Sequence, residues 1–159
     1  MRYDPVSQDV KDVLKSCIET YFPELGGAGI MCIFDTKKRV SKGRNVLAQI
    51  RRTNDVEKFL TLDDVEFEDG PDYIVFIDKF AWELGDAEDR KRLMRHELRH
   101  TVVEIDAAKP FKLRGHTVED FYEEISLNSD KPRWAEDLGA RVMAAYGDDS
   151  PHEEVPEVV

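Results

Sequence analysis

The sequence predicts an α+β domain in which a small sheet of three or more strands packs on helices. Three observations carry this expectation. Two short, continuous apolar runs, Ile30 to Phe34 and Tyr73 to Ile77, are bounded by turn residues, as strands covered on both faces are. The segments before and after them show helical spacing of apolar residues. The chain has 159 residues, 41% of them hydrophobic, enough for one core that buries roughly 70% of the unfolded surface.

The elements follow in order. Val6, Val10, Val13, Leu14, Cys17, Ile18 and Tyr21 recur at helical spacing until Pro23 and the glycines that follow, so a first helix buries Cys17. Val46 to Arg52 reads as a third strand, joined to the first through a basic turn around Lys42 and Gly43. Residues 54–72 are acidic and irregular, with large apolar residues such as Val56, Phe59 and Leu60. A loop of that length predicts a functional flap that moves over the cleft. Asp86 is a good N-cap, and neither Gly nor Pro interrupts Ala87 to Ile105, which predicts one helix over 87–105. On that helix Met94, Leu98, Thr101, Val102 and Ile105 form an apolar stripe and Arg92, Arg95 and Arg99 a basic edge. Leu93, His96, Glu97, His100 and Glu104 share the remaining face. Thr117 is positioned to cap a further helix with core stripe Val118, Phe121, Tyr122 and Ile125, and a last helix runs from Pro132 to Tyr146, stopped by Gly147. One domain is expected over 1–147, and 148–159 reads as a disordered acidic tail.

The net charge of −11 opposes wholesale wrapping around nucleic acid or an anionic membrane. The charge is uneven. Lys37, Lys38, Arg39, Lys42, Arg44, Arg51 and Arg52 fall between Thr36 and Thr53 without an acid, so a non-catalytic module docking residues 37–52 on nucleic acid or an acidic partner is the alternative reading. Aromatic residues for base stacking are missing from that segment, so weak or no nucleic-acid binding is expected. No apolar run approaches a membrane span, and acids occupy the N-terminal stretch where a secretion signal has its apolar core, which predicts a cytoplasmic protein. Cys17 and Cys32 are too few for a disulfide framework or a four-cysteine zinc ribbon.

The chemistry resides in His96-Glu97-Leu98-Arg99-His100, an H-E-x-x-H pattern inside a predicted helix. Histidines at i and i+4 lie one above the other, so both imidazoles reach one Zn²⁺ at about 2.0–2.1 Å, with the intervening Glu beside the open position. Such a metal lowers the pKa of a bound water towards about 7, and Glu97 can accept its proton and pass it to a leaving amine. With four histidines in the chain, a random shuffle produces this pattern roughly 0.01 times. A third ligand is needed, and His116, sixteen residues beyond His100, is preferred over Glu119, Asp120 and Glu123. Oxyanion donors are sought in Arg114, Tyr122 and Tyr146.

The HELRH pattern followed by LRGHTVEDFYEEI resembles the SprT-like metallopeptidases and the related phage metallopeptidases, in which a G-H-x-x-x-F signature opens a following helix. Gly115, His116 and Phe121 match it, and the resemblance spans roughly Ile30 to Ser126. It implies a zincin-like metallopeptidase domain, His96, His100 and His116 as zinc ligands, Glu97 as general acid/base, and a peptide or protein substrate. Arg99 stands where small or apolar residues are common in the family. Peptide deformylases also carry H-E-x-x-H, with a cysteine as third ligand, but Cys32 stands without that family's Gly-rich and Gln elements.

Overall fold

Short apolar runs with β-branched residues become strands here because a mixed sheet buries them against helices. The computed structural model describes residues 1–64, 66–116, 120–147 and 150–156. Its main sheet has the order β1-β2-β6-β5, built from β1 (Tyr3–Pro5), β2 (Ile30–Asp35), β6 (Tyr73–Asp78) and β5 (Ala48–Arg52). β2 and β6 run parallel in the register Ile30↔Tyr73 to Asp35↔Asp78, and β5 is antiparallel to β6 on the outer edge. Tyr73, Val75 and Ile77 of the central strand are buried, as its continuous apolar run requires.

The third strand begins two residues later than expected. The basic segment ahead of it forms a hairpin of β3 (Lys38–Ser41) and β4 (Arg44–Asn45), turned at Lys42 and Gly43, both at positive φ. Its charges are largely engaged within the chain. Arg39 pairs with Asp35 (3.1 Å) and donates to Gln49, Arg51 pairs with Glu57, and Lys38 is buried.

Residues 54–72 are not one irregular loop. Asn54 and Glu57 close a capping box over the short helix α2 (Asp55–Leu60). Its return is pinned to the sheet: Asp72 accepts from the Gly29 amide (2.8 Å) and pairs with Lys58 (3.2 Å). Gly70 has φ +78°, and a Cβ there would stand 2.7 Å from the Lys58 carbonyl oxygen. Gly70→Ala is therefore expected to lower stability by about 1–3 kcal/mol, measured by urea denaturation, since both backbone conformation and contact forbid the methyl.

Helices cover the sheet: α1 (Gln8–Tyr21), α3 (Lys79–Leu84), α4 (Ala87–Arg99) and α6 (Trp134–Tyr146), the last ended by Gly147 at φ +81°. Cys17 lies in the same core cluster as Val10, Leu93, Met94 and Leu98. The predicted helix over 87–105 stops at Arg99. Thr101, Val102 and Val103 are β-branched and form β7 (Thr101–Val103), which pairs with β8 (Phe111–Leu113), while the Thr101 hydroxyl donates to the Leu98 carbonyl (2.6 Å). Ile105, assigned to the helical stripe, is 84% exposed on this hairpin.

Thr117 and Val118, expected to begin the next helix, lie outside the described residues. The helix seen is α5 (Tyr122–Leu127); of the expected stripe Phe121 is buried, whereas Tyr122 and Ile125 face solvent and the buried face continues through Glu124 and Asn128. In the acidic tail, His152–Glu154 forms β9, parallel to β3, with Glu153 paired to Arg2. Among the described residues no helix is long and apolar enough to cross a membrane.

Candidate metal centre

The capping box of Asp86 and Asp89 fixes the start of α4, and its last turn carries His96 and Glu97, with His100 as C-cap. β7 and β8 then return the chain so that His100 and Arg114 exchange contacts. The Arg114 amide donates to the His100 carbonyl (2.7 Å), and the Arg114 carbonyl stands 2.8 Å from His100 Nδ1. Two residues later His116 meets the helix pair. One ligand atom from each of His96, His100 and His116 lies within 4.8 Å of the others, and His96 Nε2 is 3.0 Å from His116 Nε2. Tetrahedral zinc with bonds of about 2.0–2.1 Å separates its ligand nitrogens by about 3.3 Å, so this spacing suits a shared ion.

Tautomers follow from the partners. A carbonyl only accepts, so His100 donates from Nδ1 to Arg114, and its neutral ring keeps a bare lone pair on Nε2. That Nε2 is buried and has no hydrogen-bond partner among the described residues. Burial, with the two neighbouring imidazoles adding to it, lowers the His100 pKa to about 4, so the ring is neutral near pH 7. At His96 burial acts the same way, but the Asp120 carboxylate 2.7 Å from Nδ1 and nearby acids outweigh it and raise the pKa. Asp120 thus stands at the nitrogen opposite the cluster and orients the ring, the usual arrangement behind a ligating histidine. Of the other third-ligand candidates, Glu123 pairs with Arg114 (3.5 Å) and Glu119 lies outside the described residues.

Glu97 is buried, held through a hydrogen bond from the Ile50 backbone on edge strand β5, and burial raises its pKa. Its Oε2 is a second buried atom without a partner among the described residues. An unpaired carboxylate oxygen and an unpaired imidazole nitrogen buried along the same helical turn are costly unless a cation or water joins them. These donors fit a divalent metal.

Phe121, fully buried, serves as a common shelf, its ring centroid 4.8–5.3 Å from those of all three histidines. Its segment is fastened to α4 by Glu124, which accepts from Arg95 Nε (3.0 Å) and Arg99 Nη2 (3.0 Å), while Asn128 accepts from Arg95. The basic edge read from the sequence therefore turns inward. Glu124→Ala leaves two guanidiniums without their buried counter-charge and is expected to cost about 3–5 kcal/mol in urea denaturation. The helical spacing of Arg95 and Arg99 was visible in sequence; the acid that meets them, some 25 residues on, was not.

Two of the three oxyanion candidates make other contacts. Arg114 Nε donates to the Arg99 carbonyl (2.9 Å) and its guanidinium stacks on Phe121, Tyr122 is 65% exposed at the start of α5, and Tyr146 donates to Asp78 (2.6 Å). Cys32 lies in β2, separated by β6 from the strand beside Glu97, and burial pushes its thiol up to about 12.

The family model described as "Putative phage metallopeptidase" matches residues 5–146, from β1 through α6. The chain belongs to this family. No curated protein and no solved structure matches it. The family match takes in β2, β5, β6, α4 and His116, so the three-histidine cluster lies within the matched residues.

Proposed function

We propose that the protein is a zinc-dependent peptidase of the zincin type, with His96, His100 and His116 as ligands and Glu97 as general acid/base. The observation that carries this reading is the buried, unpartnered Nε2 of His100 beside the Nε2 atoms of His96 and His116, with the unpartnered Glu97 Oε2 one residue along from His96. A bound zinc ion supplies Lewis acidity that brings a water within reach of deprotonation near neutral pH and polarises the scissile carbonyl. Glu97 takes the proton at Oε2 and delivers it to the leaving amine; its raised pKa suits a group that must both accept and donate. Asp120 and the Arg114 carbonyl hold two imidazoles in the tautomers that direct Nε2 inward. The edge position of β5 supports an extended peptide as substrate, paired along that strand next to Glu97. The SprT-like arrangement of HELRH, Gly115, His116 and Phe121 supports the same assignment. In this reading the protein works in the cytoplasm on peptide or protein, and the engagement of Arg39 and Arg51 with acids of the chain leaves weak or no nucleic-acid binding.

Metal analysis of untagged protein tests the proposal directly. One zinc per chain is expected, with proteolysis of an unfolded protein substrate abolished by a chelator and restored by zinc. Protein that binds no zinc at micromolar concentration overturns it.

A further inference from the structure

Helix α2 is assembled with care and buries nothing. Its six residues are far below the length at which an isolated helix holds in water, yet the capping box of Asn54 and Glu57, the Arg51–Glu57 pair, the Lys58–Asp72 pair and the close approach of Gly70 to the Lys58 carbonyl keep it in place. Val56, Phe59 and Leu60 stand at i, i+3 and i+4 and so share one face, where they are 65%, 73% and 71% exposed. Leu62 and Phe67, in the return segment, are exposed as well. Clustered large apolar side chains on a tethered scaffold mark an interaction surface.

The charge around this face selects the partner. Residues 55–69 contain seven acids, of which Glu57 is paired with Arg51, and one base, Lys58, which is itself bound to Asp72, so an acidic excess remains. A second copy of the chain would bring an equal acidic field against the first, and an anionic lipid surface is repelled in the same way. A segment that offers apolar side chains interspersed with Lys or Arg satisfies both features. We propose that the Val56, Phe59, Leu60 face of α2 is a docking surface for a cationic, apolar segment of a protein partner. The surface does not depend on the chemistry of the histidine cluster. Helix α2 begins three residues after β5, within about 10 Å of chain from the strand end, so a partner docked there lies near the strand that carries the Glu97 contact.

The test titrates full-length protein with a fluorescent amphipathic peptide of leucine and lysine, leucines at i, i+3 and i+4. A glycine-lysine peptide of equal charge and a leucine-glutamate peptide of equal apolarity serve as controls. The leucine-lysine peptide is expected to bind at least about tenfold more tightly than either control, and more weakly as salt rises. In the Val56→Ser, Phe59→Ser, Leu60→Ser variant its affinity should fall to that of glycine-lysine. The three side chains are solvent-exposed, so the thermal midpoint should hold. Unchanged affinity in the variant, or equal binding of leucine-glutamate, overturns the proposal. So does concentration-dependent dimerisation of the wild type that the variant loses.

Discussion

Glu97→Gln is expected to remove peptide hydrolysis while leaving metal content and fold in place. The amide matches the carboxylate in shape and can still accept the Ile50 backbone hydrogen bond, but it cannot take a proton from water. Loss of a positioned general base costs about 10²–10⁴-fold in kcat/KM. Stability should change little or rise, because burial already disfavours the charge at this position and the substitution removes it. Kinetics, metal analysis and thermal unfolding of the same preparation check all three expectations. Loss of metal or of the fold in this variant would make Glu97 a structural residue and sink the proposed proton transfer.

His116→Ala is expected to weaken zinc binding by on the order of 10²–10⁴-fold, since structural zinc sites hold the ion with about 10–16 kcal/mol and one of the ligands carries about 3–5 of it. Asp120→Ala should cost less, about 10–100-fold, because it releases the orientation of His96 without removing a donor. A chelator competition measures both. The order of the two effects decides the third ligand: full retention in His116→Ala with loss in Asp120→Ala would move the ligand role to Asp120.

Local pattern made several elements legible. α1, β2 and β6 announce themselves through apolar spacing of period 3.6 or through continuous runs, and the Lys42-Gly43 turn through its glycine. The H-E-x-x-H pair needed only a helix under it, and the capping box at Asp86 provides the start of one. No Gly or Pro marks the end of that helix, so the pattern of local residues runs past it. The stop comes from three β-branched residues that gain more from pairing with Phe111–Leu113 than from another helical turn, and that partner strand begins eight residues downstream of β7.

By itself the sequence determined which residue types can hold a metal and move a proton, because spacing at i and i+4 on a helix is a property of the local backbone. Tertiary structure alone decided how those residues are used. Whether His116 meets the helix pair depends on the register of β7 with β8. Asp120 stands behind His96 rather than in the cluster because the buried Glu124 draws its segment onto Arg95 and Arg99. The phase of α5 is set by that same polar contact, which a hydrophobic-stripe reading assigns to the solvent side. β9 likewise exists only by pairing with β3, more than a hundred residues away in sequence. Each of these outcomes rests on hydrogen bonds and ion pairs between distant segments, whose free energy depends on burial and geometry that no local periodicity encodes.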